Sequence, residues 1–229
     1  GVQDTKAATI NVTTTEASQQ ITNHGIRTRI RNGVEEYHTG TYGIDLVGAL
    51  VTTRYADGSS ESLIWSDMSG PRSNLGGVIG TGMTLTYESN DWMLSTTSLL
   101  TSLVIDVKSG DSMFDILREK KDGLDGDTLG TKIGFAYNTT GGDALDGMIG
   151  VEYRNGVVLR GHERGTDTFT KMLIDYSGLT GGGLLGSTMF RSDVDSLAVS
   201  GDLAPIPLPG GLPLMAAGIG LLALGRRRN

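Results

Sequence analysis

Val51-Thr52-Thr53-Arg54-Tyr55-Ala56-Asp57-Gly58-Ser59-Ser60-Glu61-Ser62-Leu63-Ile64-Trp65 is the stretch on which the fold class turns. Two strand candidates, Leu46–Tyr55 and Glu61–Trp65, flank an Asp57-Gly58 dipeptide that accepts positive φ, as a tight hairpin requires. The same punctuation recurs at Asn32-Gly33, between Ile26–Arg31 and Val34–His38, and at Asn155-Gly156, between Met148–Tyr153 and Val157–Arg160. Apolar and polar residues alternate at Ile10/Val12/Thr14, Leu103/Ile105/Val107 and Met172/Ile174/Tyr176, the period of a half-buried strand.

Further strands are expected at Thr81–Tyr87, Trp92–Leu94, Lys132–Tyr137, Leu184–Phe190 and Asp193–Val199. Only Ser112–Lys121 has a helical look. Many short strands without crossover helices predict an all-β body, an antiparallel β-sandwich of jelly-roll type, over residues 1–201.

Composition narrows the function. The chain has 229 residues and a formal charge of −7, and without Arg226, Arg227 and Arg228 sixteen basic residues face twenty-six acidic ones. An exterior this acidic argues against nucleic acid as a partner. The absence of cysteine excludes disulfides, thiolate catalysis and cysteine-ligated metals.

The end of the chain has a different character. A proline-rich stem spans residues 202–211, and an apolar run from Leu212 to Leu224 leads to Arg226-Arg227-Arg228 within residues 212–229. A lone segment entering hydrocarbon must be helical, and Pro213 suits a first helical turn. Such a helix is roughly 20 Å long at about 1.5 Å per residue, so snorkelling arginines and local thinning are needed to match the bilayer. The arginines belong on the cytoplasmic side, which places the body outside. The alternative is a helix docked in the protein's own core. The alternating prolines Pro205, Pro207 and Pro209 favour extended backbone, either a grip for a processing enzyme or a stiff spacer.

Ile206-Pro207-Leu208-Pro209-Gly210, the apolar run and the arginines together resemble the bacterial PEP-CTERM sorting signals, in the variant written Val-Pro-Leu-Pro-Ala. Ile206 stands in place of Val and Gly210 in place of Ala. The resemblance covers about the last 25 residues. It implies export, transient anchoring in the inner membrane, processing by an exosortase-type enzyme, and release to the cell surface or an exopolysaccharide matrix. Export also requires a signal segment upstream of Gly1. The body resembles, less specifically, sandwich domains found ahead of such tails, through Val51–Trp65, Ser102–Val107 and Met113–Asp115; no activity transfers with that resemblance.

Candidate chemistry is sparse. His24, His38 and His162 stand apart, without a metal-binding pattern. Gly181–Gly186 satisfies Gly-x-Gly-x-x-Gly but leads into a strand, so it reads as a loop and not a dinucleotide site. Asp122, Asp125 and Asp127 lie among glycines and offer hard oxygens, either a calcium loop or a solvated acidic one. Asp193 and Asp195 face one way on the last expected strand, as ligands or as solvated groups. Trp65 and Trp92 are candidates for a sugar-stacking platform or for core packing. The expectation is a non-enzymatic structural or adhesive protein needing no cofactor beyond structural calcium; the alternative is a carbohydrate-binding or carbohydrate-active module.

Overall fold

The computed structural model describes residues 8–14, 17–21, 28–31, 34–37, 41–71, 73–88, 91–116, 135–137, 145–159 and 168–196. The chain divides into Gly1–Val199 and Ser200–Asn229, and all described residues belong to the first unit. The strands are β1 (Thr9–Thr14), β2 (Ala17–Ile21), β3 (Thr28–Arg31), β4 (Val34–Tyr37), β5 (Leu50–Tyr55), β6 (Ser60–Ile64), β7 (Ser66–Asp67) and β8 (Gly76–Ile79). They continue as β9 (Met83–Tyr87), β10 (Trp92–Asp106), β11 (Ser112–Asp115), β12 (Ala136–Tyr137), β13 (Met148–Leu159), β14 (Thr168–Asp175), β15 (Leu184–Arg191) and β16 (Asp193–Ser196). Two 3₁₀ turns, Gly43–Leu46 and Lys108–Gly110, are the only helical pieces among the described residues. The protein is all-β.

The hairpin at Asp57-Gly58 forms, though its connection is three residues, Ala56, Asp57 and Gly58, between the paired Tyr55 and Ser59. β5 and β6 pair antiparallel with Arg54 opposite Ser60, and Gly58 takes φ +86°. Asp57 locks the turn by accepting the Ser59 N–H at 2.8 Å. β3 and β4 also pair, with Arg31 opposite Val34, the register of a two-residue connection.

The long strand β10 organises everything else. Its first part, Trp92–Thr96, pairs with β9 and β15; its last part, Leu100–Asp106, pairs with β5 and β14. One limb of the sheet therefore runs β7-β8-β9-β10-β15-β12 and the other β6-β5-β10-β14-β13-β1, all within one hydrogen-bonded sheet of fourteen strands. Leu100 keeps the phase of Trp92–Thr96, and the register shift between Leu100 and Ser102 changes it. Trp92, Leu94 and Thr96 are buried before the shift, Leu103 and Ile105 after it. Because side chains alternate strictly along a strand, an irregularity of this kind lets both halves turn apolar residues into the same core. That core joins residues of both limbs, from Val51, Leu85 and Trp92 to Ile149, Met172 and Phe190.

Three sequence expectations need correction. The sheet is mixed and not purely antiparallel, because β1 and β2 both run parallel to β13. Asn155-Gly156 makes no hairpin: β13 runs unbroken through it. Asn155 has φ +56°, but Gly156 is not among the positive-φ glycines. β14 on one side and β1 and β2 on the other pair with the backbone here, so the single left-handed residue is absorbed where the neighbour changes from β1 to β2. Third, Ser112–Asp115 is the strand β11 and not a helix; it lies between β14 and β16, which take its hydrogen bonds on both sides. Residues 117–121 lie outside the described residues.

Candidate functional site

β11 and β16 carry the one group of carboxylates with metal-ligand proximity among the described residues. Ser112 is opposite Ser196 and Asp115 opposite Asp193 in an antiparallel register, with Asp195 opposite Met113. Phe114 faces Val194, and both belong to the core. Alternation along the strands sends Asp115, Asp193 and Asp195 to the other face together. They are far from solvated there: Asp115 and Asp195 are fully buried and Asp193 half-buried.

One oxygen from each carboxylate lies within 4.8 Å of the others. Calcium binds oxygen at about 2.3–2.6 Å, so two ligands of one ion lie at most about 5 Å apart. The spacing fits a hard divalent cation. Carboxylates directly opposite each other across a strand pair repel, and burial sharpens the repulsion, which a bound cation or a shared proton would relieve.

The surroundings are aromatic. Trp92 donates Nε1–H to the Ser192 carbonyl at 3.0 Å, and the Tyr153 hydroxyl and Ser192 Oγ share a hydrogen bond of 2.8 Å. Two core rings thus hold the residue that leads into Asp193. Burial, reinforced by the negative charge of Asp193 and Asp195, pushes the Tyr87 phenol far above its usual value. The Tyr153 phenol is raised by burial too, with Asp193 adding to the effect and the Ser192 bond opposing it.

The structure sorts the other sequence candidates unevenly. Asp193 and Asp195 do face one way, Asp195 fully buried and Asp193 half-buried, so they are not a solvated pair. Asp115 lies in a segment whose sequence looks helical; the Asp-x-Asp of β16 signals two of the three carboxylates, and only strand pairing supplies the third. Asp122, Asp125 and Asp127 lie outside the described residues, as do His24, His38 and His162. So do the sorting motif Ile206, Pro207, Leu208, Pro209 and Gly210 and the arginines Arg226, Arg227 and Arg228. Among the described residues no helix is long and apolar enough to cross a membrane.

The sugar-stacking platform of Trp65 and Trp92 is corrected. Trp65 is 1 % exposed and Trp92 0 %, so neither offers a ring face to a ligand. Their rings meet edge-to-face at 5.5 Å, Trp92 stacks on Phe190 at 5.8 Å, and Trp65 donates Nε1–H to the Gly43 carbonyl at 2.8 Å. Both satisfy their indole N–H inside the core, which is the structural use of tryptophan. No protein-family model, no curated protein and no solved structure matches this chain.

Proposed function

We propose that this is an exported, non-enzymatic protein of the cell surface or extracellular matrix, with a structural or adhesive role, delivered through its C-terminal signal. The observation that carries the reading is the ordered tail: Ile206–Gly210, then the apolar run to Leu224, then Arg226, Arg227 and Arg228, behind an acidic body. Each part has its own physical task. The extended stem offers backbone to an exosortase-type processing enzyme, the apolar run partitions into the inner membrane, and the arginines hold to the cytoplasmic side. The body, residues 1–201, is a jelly-roll-like sandwich in this reading; what supports it is the forked sheet whose two limbs share one core. Structural calcium belongs to the same proposal, at Asp122, Asp125 and Asp127 or at the β11–β16 carboxylates.

Intact mass of the protein recovered from cells and from medium tests the reading. A released form lacking the segment beyond the prolines is expected; full-length protein found only in the cytosol overturns it. A second reading, a carbohydrate-binding module or carbohydrate-active domain, is favoured by a hollow with an apolar floor and a polar rim on the outer face of the sheet.

A further inference from the structure

Strand register places two rows of side chains across the outer face of the β5-β10-β14-β13-β1 limb. The first row is Arg54, Ser102, Asp175, Gly150 and Asn11. The second is Thr52, Val104, Leu173, Glu152 and Thr13. A hollow of about 750 Å³ opens over these rows. Its size is that of a small-ligand site.

The hollow exists because Gly150 and Ser102 are small where their row-mates are long. Val104 and Leu173, half-buried side by side, give it an apolar floor. Around the floor stand donors and acceptors set at strand spacing, about 4.8 Å apart. The Arg154 guanidinium forks onto Glu152 with two contacts of 2.7 Å, so both groups are held in place. Asp175 accepts the Ser177 N–H at 2.9 Å, which orients its carboxylate. Arg54 makes no ion pair among the described residues, and its guanidinium remains available.

Two arginines and two carboxylates balance, leaving a neutral hollow on a chain whose formal charge is −7. An anionic polymer gains nothing from that balance, and the acidic body repels it. A ligand that is uncharged, dense in hydroxyls and apolar on its ring faces satisfies both the rim and the floor. The geometry points to a binding site for a neutral oligosaccharide, with Arg54, Asp175 and Asn11 reading hydroxyls and Val104 and Leu173 carrying the C–H face of a sugar ring. The inference gives the carbohydrate reading a location away from Trp65 and Trp92. It does not depend on the sorting tail, so the mass experiment and the binding experiment fail separately.

Isothermal titration of the full chain, kept in solution by a detergent without a sugar head group, tests it against cellohexaose, laminarihexaose, maltohexaose and an alginate hexamer. At least one neutral hexamer is expected to bind, with affinity unchanged between about 0.05 and 0.5 M salt, since no ion pair is formed with it. Arg54→Ala removes a rim donor. Gly150→Val fills the hollow, and a Cβ there meets nothing closer than the Asp175 Cβ at 3.5 Å. Each substitution is expected to weaken binding at least tenfold while the melting temperature holds. Three results overturn the proposal: no neutral hexamer binds, only the alginate hexamer binds and does so salt-dependently, or binding survives both substitutions.

Discussion

Replacing Trp92 tests the packing that joins the two limbs to the carboxylate cluster. The ring is fully buried, lies within 6.2 Å of the rings of Trp65, Tyr87, Phe114 and Phe190, and donates to the Ser192 carbonyl. Trp92→Ala empties the site, at about 3–5 kcal/mol for a large-to-small core change. It also orphans the Ser192 carbonyl, which adds about 1–3 kcal/mol when an acceptor is left buried. Trp92→Phe keeps the stack on Phe190 and most of the volume, so its loss is mainly the hydrogen bond, about 2 kcal/mol. Against a total stability of about 5–15 kcal/mol, the alanine variant stands near the unfolding threshold and the phenylalanine variant does not. Urea unfolding followed by far-ultraviolet circular dichroism measures both without relying on the indole signal. Amide exchange at residues 192–195 should accelerate in both variants, because Ser192 loses its anchor. An alanine variant costing less than about 2 kcal/mol, at unchanged denaturant dependence, would refute the assignment of Trp92 as the joint between limbs. Equal costs for the two variants would refute the division into volume and hydrogen bond.

Three further outcomes follow from the same structure. Gly76→Ala drives a Cβ to within 2.0 Å of the Gly43 oxygen and 2.4 Å of Trp65 Nε1, breaking their hydrogen bond; it should cost about 3 kcal/mol or more in urea unfolding, while Gly70→Ala, with open space, costs little. Burial raises the phenols of Tyr55, Tyr87, Tyr137, Tyr153 and Tyr176, Tyr55 to about 12 with help from its bond to Glu61; their neutral forms therefore stabilise the fold below pH 10.0, and that contribution is lost as pH rises toward 12, so near-ultraviolet titration should show these tyrosines ionising late and together with unfolding. A site that binds calcium adds about 2.7 kcal/mol at a hundredfold excess over Kd; the melting temperature should exceed that in chelator, with the rise lost in Asp195→Asn if the ion sits on β11–β16 or in Asp125→Asn if it sits in the loop, and an unchanged value removes calcium from the proposal.

Local signals were legible where one hairpin decides them. Asp57-Gly58 works because β5 and β6 are partners of each other and the turn needs only its own residues. Asn155-Gly156 carries the same kind of turn signal but sits where three other strands have already taken the backbone groups, so tertiary pairing overrides the turn. The expectation is testable at one atom: Asn155→Ala in the left-handed region should cost about 1 kcal/mol and Asn155→Gly nearly nothing, since strain and not turn formation is at stake.

The unity of β10 was hidden for a related reason. Trp92–Leu94 and Leu103–Val107 read as separate runs because the apolar phase changes from even to odd positions between them. In one flat strand such a change would expose half of the apolar set. In a strand that changes sheet neighbours halfway, it is what allows both ends to face one core. The hollow and the carboxylate cluster both depend on long-range register. Arg54, Ser102, Asp175, Gly150 and Asn11 are scattered over 165 residues of sequence and become a row only because β5, β10, β14, β13 and β1 adopt that order. Asp115 and Asp193 are brought opposite each other only because β11 pairs with β16. A residue that acts through its neighbour across a strand leaves no spacing to find in the chain; its partners are set by sheet order, and sheet order here is set by where β10 breaks phase.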